Sequence, residues 1–237
     1  MSIVTSVQST AKVHEIFTSI QGEGIFAGKR QVFVRFFGCN LNCSFCDTPQ
    51  NIEDTREYSH SDLFEAICGQ AHPAGIHSVS LTGGEPLLQT EFLKLLLPKL
   101  KQSSYRTYLD TNGTLPNQLA QVIDYIDIIA MDIKLPSSTG TGSFWKEHSQ
   151  FLSTAMKKEV FVKVVVTHKT NLVDFTRAVF LVAAKNPYVA FIVQPATPMQ
   201  DIDAVDAGAL EIFKEAARRR LYRVKILPQM HRLYGIK

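Results

Sequence analysis

The sequence predicts an α/β fold on a parallel sheet, either open or curled into a full or partial barrel. Two observations carry this. From Val13 onward, short runs of β-branched and aromatic residues alternate with longer stretches of helical period, separated by Gly, Pro, Asn and Asp. Most strand candidates are also near-continuous apolar runs, such as Val162-Lys163-Val164-Val165-Val166, as expected of parallel strands covered on at least one face. With 45% hydrophobic and 20% charged residues over 237 positions, there is apolar material for one core.

In chain order, strands are expected at residues 13–20, 31–36, 77–82, 106–110, 126–133, 160–166, 188–194 and 222–227. The helices fall between them. Ser61-Asp62 opens one toward residue 70, with Leu63, Phe64 and Ile67 as its apolar stripe. Others are expected at 89–102, 116–125, 144–156, 171–185 and 203–220. The last is the longest, and Arg218-Arg219-Arg220 closes it, where cations complement the helix dipole. Repeated strand-then-helix units imply right-handed crossovers, with the chemistry at the carboxyl ends of the strands.

No linker, repeat or low-complexity segment divides the chain, so residues 1–12 are read as a leader and 13–237 as one core domain. The formal charge is only +3, from 25 basic and 22 acidic residues, which gives no electrostatic case for direct nucleic-acid binding. A small-molecule partner is expected instead. The N-terminus Met1-Ser2-Ile3-Val4-Thr5-Ser6 lacks an apolar signal region, and no apolar run approaches the roughly 18 residues of a membrane span. The expected setting is the reducing cytoplasm.

Of four cysteines, Cys39, Cys43 and Cys46 cluster within eight residues in a C-x3-C-x2-C spacing after a strand, while Cys68 stands apart. One loop can wrap these three thiolates around a single inorganic centre. Structural zinc wants four protein ligands. His60 or Cys68 could complete such a set, although Cys68 follows a helix's apolar face, where a packed thiol is the commoner role. Three thiolates also suit a 4Fe-4S cluster with one iron open to an exogenous ligand. Spacing alone leaves zinc and the open cluster both in play.

The C-x3-C-x2-C segment resembles the signature of the radical S-adenosylmethionine (SAM) enzymes, in which the open iron is chelated by SAM. Thr82-Gly83-Gly84-Glu85-Pro86 resembles their GGE motif, whose backbone meets the methionine ammonium. Paired glycines permit a close approach to the main chain, and Glu85 is expected to add an acceptor for a positive group.

More particular segments resemble the 7-carboxy-7-deazaguanine synthase family. They are Ile16 through Gly24 with its Gln21-Gly22-Glu23-Gly24, Val32-Phe33-Val34-Arg35-Phe36, Cys46-Asp47-Thr48, Asp132 through Ser138, Gln194-Pro195, and the tail from Leu227 to Lys237. The resemblance implies a single-domain, incomplete parallel β/α barrel of the radical SAM type. It implies conversion of 6-carboxy-5,6,7,8-tetrahydropterin into 7-carboxy-7-deazaguanine with loss of ammonia, in queuosine and related 7-deazapurine biosynthesis.

By the same resemblance, Cys39, Cys43 and Cys46 hold the cluster and Thr48 a hydrated Mg2+. Phe45, Cys46, Asp47, Gly84, Asp132, Ile133, Lys134, Gln194, Pro195, Ala196 and Thr197 match SAM-binding positions. Ile20, Gln21, Gly22, Glu23, Arg35, Thr82 and the carboxylate of Lys237 match substrate contacts. Glu23 would accept from the N–H donors of the pyrimidine edge, and Arg35 would clamp the substrate carboxylate.

The implied mechanism assigns the hard chemistry to the cofactor. A flavodoxin or ferredoxin reduces the cluster, SAM is cleaved to a 5′-deoxyadenosyl radical, and that radical takes hydrogen from the carbon bearing the carboxylate. SAM is then regenerated. A homodimer is expected. Two rivals stand beside this reading: a glycyl-radical enzyme activase, with the same cysteine spacing, and a noncatalytic zinc or iron-sulfur interaction module.

Overall fold

The computed structural model describes residues 10–48, 51–71, 75–199 and 201–236. The chain opens with β1 (Thr10–Ile20), β2 (Arg30–Phe36), β3 (Arg56–Ser59) and α1 (His60–Ala71). It continues through β4 (Ser78–Gly83), α2 (Thr90–Gln102), β5 (Thr107–Thr111), α3 (Pro116–Val122), β6 (Ile128–Asp132), α4 (Pro136–Thr139) and α5 (Trp145–Ala155). β7 (Glu159–Val166), α6 (Leu172–Ala183), β8 (Ala190–Pro195), α7 (Ala207–Arg218), β9 (Val224–Ile226) and α8 (Met230–Tyr234) complete it.

The nine strands form one sheet in the order β3-β1-β2-β4-β5-β6-β7-β8-β9. From β2 to β9 every pairing is parallel. The edge strands β3 and β9 do not pair with each other, so the barrel is incomplete, as expected. β1 departs from expectation, since it runs antiparallel to β2 and β3. Only a short connection with a three-residue 3-10 helix, Gly24–Phe26, separates β1 from β2, too short for a crossover, so the chain returns antiparallel. The expected domain boundary after residue 12 falls inside β1, so residues 10–12 belong to the sheet.

Strand pleating divides the side chains between two layers. Leu81, Leu109, Ile129, Val162, Val164 and Phe191 enter the core beneath the helices. α2 lays Phe92, Leu93, Leu96, Leu97 and Leu100 on it, all at most 2% exposed. Each such burial is worth about 1.5–3 kcal/mol. The helix expected at 203–220 is shorter: Asp206 caps it by accepting from the amides of Gly208 and Ala209, and it ends at Arg218. With 13 residues, α2 is longer than this 12-residue helix. The three arginines are exposed, Arg218 paired to Glu215 at 3.2 Å and Arg220 lying over Phe180.

On the other face, Tyr108, Ile128, Ala130, Phe161, Ala190 and Ile192 form a second apolar cluster, plugged by Ile25 and Phe26 from the β1–β2 connection. Gly24 makes this plug possible, with φ of +65° and a position where a Cβ would lie 2.3 Å from Phe161 Cε2. No helix among the described residues is long and apolar enough to cross a membrane.

Gly24→Ala should therefore cost about 1–3 kcal/mol in urea unfolding, from backbone strain plus the clash with Phe161. Gly28→Ala should cost less, because its φ of +89° brings strain but nothing lies within 4 Å of the added methyl. Equal losses would show that the Phe161 contact is unimportant.

Candidate active site

Beyond the apolar plug, the inward positions of successive strands turn polar. Tyr108 is followed two residues on by Asp110, Ala130 by Asp132, Phe161 by Lys163 and Ile192 by Gln194. These residues line a cavity of about 510 Å³ at the carboxyl ends of the parallel strands. The cysteine loop after β2 forms another wall, with Cys39, Cys43, Phe45, Cys46, Asp47 and Thr48. The β1 side contributes Ile20, Gln21, Gly22 and Glu23, and Arg35 and Thr82 come from β2 and β4. Gly84, Lys134, Ala196 and Thr197 also line it. Of the remaining expected contacts, Ile133 faces the helix-side core and Pro195 ends β8 outside the lining. Lys237 lies outside the described residues.

The donor set fits a cluster with an open iron better than a single zinc ion. Cys39, Cys43 and Cys46 border one space, yet among the described residues no three His, Cys, Asp or Glu side chains converge as a single ion requires. His60 starts α1 and Cys68 is partnered by Tyr105, and neither borders the cavity. Burial pushes the Cys43 thiol up to about 11 and raises Cys39 as well. These thiols are protonated at neutral pH until a metal takes the proton's place.

Two buried acceptors, Asp132 Oδ1 and Gln194 Oε1, have no hydrogen-bond partner among the described residues. Such atoms are costly unless a ligand satisfies them. SAM, with its ammonium and ribose hydroxyls, carries the donors they lack. Asp132 Oδ2 is already paired to Lys134 Nζ at 2.8 Å, and that ammonium lies 5.3 Å from the Phe45 ring centroid.

Glu85 corrects an expectation. It is fully buried and accepts from Leu87 N at 3.1 Å, Thr111 Oγ1 at 2.8 Å and Asn112 N at 2.8 Å, so it serves the protein's own donors. Gly84 N donates to Phe36 O and Glu85 N to Gly38 O, and a Cβ on Gly84 would sit 1.9 Å from Gly38 O. The paired glycines thus press this turn against the cysteine loop, while Glu85 ties the turn to β5.

A buried charge cluster occupies the substrate side. Lys163 Nζ is hydrogen-bonded to Glu23 Oε2 and lies 3.3 Å from Asp110 Oδ1. Burial works to raise the Glu23 pKa, but Lys163 and the hydrogen bond from Gln229 outweigh it and hold it at about 2. Burial lowers and the carboxylates raise the Lys163 value, which ends well above ordinary lysine. Arg35 Nε pairs with Glu15 Oε1 at 2.9 Å, and among the described residues its terminal guanidinium nitrogens make no hydrogen bond, so they can meet an anion.

Gln229 donates to Glu23 and Asp47, Arg232 Nη2 lies 3.1 Å from Asp47 Oδ2, and Met230 N donates to Gly22 O. The C-terminal segment therefore bridges the open side of the barrel.

The Radical SAM superfamily profile matches residues 33–166. A 7-carboxy-7-deazaguanine synthase of Geobacter sulfurreducens is 40% identical, covering 95% of this chain and 97% of that protein. One from Methanothermobacter thermautotrophicus is 34% identical, covering 96% and 98%. The chain belongs to the 7-carboxy-7-deazaguanine synthase family of radical SAM enzymes. The fold matches the crystal structure of QueE from Escherichia coli with a TM-score of 0.64 at 22% identity, over 92% of this chain and 93% of that one. Family membership implies a 4Fe-4S cluster and SAM.

Beside the expected residues of this synthase family, the cavity recruits others to which the sequence assigned no role. Asp110, Lys163, Gln229 and Arg232 are among them, as is Asn112, whose Nδ2 lies 2.9 Å from Asn40 Oδ1 and 3.9 Å from Cys39 Sγ. His148 supports Asn112 from below, its Nε2 lying 3.1 Å from the Asn112 carbonyl. Burial holds that imidazole down at about 4, so it is neutral.

Burial lifts Glu85 from the ordinary 4.5 to about 7 against its hydrogen bonds. A raised folded value means that the native state holds this proton where the unfolded state has lost it. The resulting stability is present in acid and is lost as pH rises from about 4.5 through 7, a change of about 3 kcal/mol. Urea unfolding of the apoprotein should show the native chain losing about that much relative to E85Q across this range. A pH-independent difference would mean that Glu85 is not protonated in the fold.

Proposed function

We propose that this chain converts 6-carboxy-5,6,7,8-tetrahydropterin into 7-carboxy-7-deazaguanine and ammonia in 7-deazapurine biosynthesis. The observation that carries the proposal is that the cysteine loop and the Gln21-Gly22-Glu23 segment border one cavity. Product plus ammonia contains the same atoms as substrate, so no net oxidant is needed. When bound, the cluster and SAM would supply a radical able to remove hydrogen from carbon.

The chain's own residues bind, orient and enclose. Cys39, Cys43 and Cys46 are assigned to the cluster and Thr48 to a Mg2+ ion completed by substrate oxygens and water. Phe45 to Asp47, Gly84, Asp132 to Lys134 and Gln194 to Thr197 are assigned to SAM, with Ile133 and Pro195 offering main chain. Ile20 to Glu23, Arg35 and Thr82 are assigned to substrate. Glu23 stays ionised above about pH 2, so it is an acceptor throughout the working range. Gln229 and Arg232 hold the C-terminal segment across the opening, which limits water entry and holds reacting groups in place. Lys237 is assigned to the substrate as well.

We further read the chain as one catalytic domain, a cytoplasmic homodimer reduced by a flavodoxin or ferredoxin. The decisive assay is anaerobic cluster reconstitution followed by SAM, dithionite and carboxytetrahydropterin, analysed by mass spectrometry. The expected result is the deazaguanine acid without stoichiometric deoxyadenosine. SAM cleavage without that product would transfer support to an activase-type reaction, and a zinc-loaded protein inert toward SAM would support an interaction module.

Cys39→Ala, Cys43→Ala or Cys46→Ala should lower bound iron and abolish turnover, whereas Cys68→Ala should retain both, measured by iron analysis and product formation. A tag appended after Lys237 should raise KM for the pterin severalfold. Unchanged kinetics would reject the contact by the terminal carboxylate.

A further inference from the structure

Lys163 stands at the centre of the charge cluster, against both Glu23 and Asp110. Its side chain is 8% exposed and borders the cavity. An ammonium has three N–H donors and no acceptor. One is donated to Glu23, the ammonium is ion-paired with Asp110 at 3.3 Å, and among the described residues it makes no other hydrogen bond. Leaving a buried donor unpaired is costly, so a ligand entering here should bring an acceptor to it. Glu23, beside it, receives only Lys163 and Gln229 among the described residues and retains lone pairs. The wall thus presents an acceptor next to a donor. The stacked Phe17 and Phe33 rings, 5.1 Å apart, give the same cavity an apolar surface for a flat ring.

We infer that Lys163 is a specificity-determining residue that donates to the ring carbonyl oxygen of a 2-amino-4-oxo pyrimidine, while Glu23 accepts from the adjacent ring and amino N–H groups. The inference rests on the pterin reading proposed above and adds to it a basis for rejecting other pteridines. A 4-amino ring would turn N–H toward the Lys163 N–H and, lacking the N3 hydrogen, a ring lone pair toward Glu23, whereas a 2-oxo ring would turn oxygen toward the Glu23 carboxylate. Both mismatches leave buried polar groups unpaired, which discriminates far more strongly than a change of shape. Asp110 balances the charge, because an unpaired buried ammonium would lose its proton and with it a donor.

The test is anaerobic titration of the reconstituted holoenzyme, with SAM present, by quenching of ligand fluorescence. The ligands are 6-carboxypterin, its 2,4-diamino counterpart and its 2,4-dioxo counterpart. The native enzyme should prefer 6-carboxypterin over each by about 100-fold or more. K163Q, whose amide can turn either N–H or oxygen to the ligand, should reduce the 4-oxo over 4-amino preference about tenfold, the rest of it coming from Glu23 at N3, while keeping most of the 2-amino over 2-oxo preference. K163R, a donor only, should keep both. Equal binding of the 4-oxo and 4-amino ligands by native enzyme overturns the role of Lys163 and leaves the pterin reading standing. So does full preference in a folded K163Q. Failure of the native enzyme to bind any of the three overturns both. Should K163Q not fold, the native ligand series still decides.

Discussion

A β-strand sends successive side chains to opposite faces, and this two-residue alternation is imposed here on a row of parallel strands at once. Val162 and Val164 go to the helices while Phe161 and Lys163 go to the interior. The same division holds for Leu109 against Tyr108 and Asp110, and for Ile129 and Met131 against Ala130 and Asp132. Register then aligns the inward residues, with Asp132 beside Lys163 and Asp110 beside Ala130. The interior therefore comes in two storeys, apolar where the β1–β2 connection plugs it and polar where the strands end. A one-residue slip in any strand would put a charge under a helix and an apolar side chain into the cavity.

The polar storey survives burial because its charges are interleaved. Lys163 lies between two carboxylates, and Lys134 lies against Asp132. Removing one member would strand the others in a low dielectric, so the set is rigid by necessity. That rigidity suits an enzyme whose task is placement. Glu85 follows a different rule: its carboxyl meets only neutral donors, and burial drives it toward the protonated form.

The parts of the site legible in the sequence were local in the chain. Cys39, Cys43 and Cys46 declare themselves by spacing, and Gln21-Gly22-Glu23-Gly24 by composition. The parallel strands were legible because their apolar runs are long. β3 was not, since Arg56-Glu57-Tyr58-Ser59 is a charged edge that only pairing with β1 makes a strand. Asp110 and Lys163 belong to strands 53 positions apart and meet only through register, although a lysine inside Val162-Lys163-Val164 did carry a signal: a charge on a buried strand needs a partner. The direction of Glu85 was unreadable, because its donors on Thr111 and Asn112 arrive from the next strand.

The contacts across the open side of the barrel join residues made far apart in time as well as in sequence. Asp47 and Arg232 are separated by 185 positions, and Glu23 and Gln229 by 206. A ribosome that has just delivered the cysteine loop still has most of the sheet to synthesise before the bridging segment appears. During that interval the three thiols face an unclosed cavity. Until those contacts form, the cysteine loop lacks its cover on the side that Gln229 and Arg232 occupy.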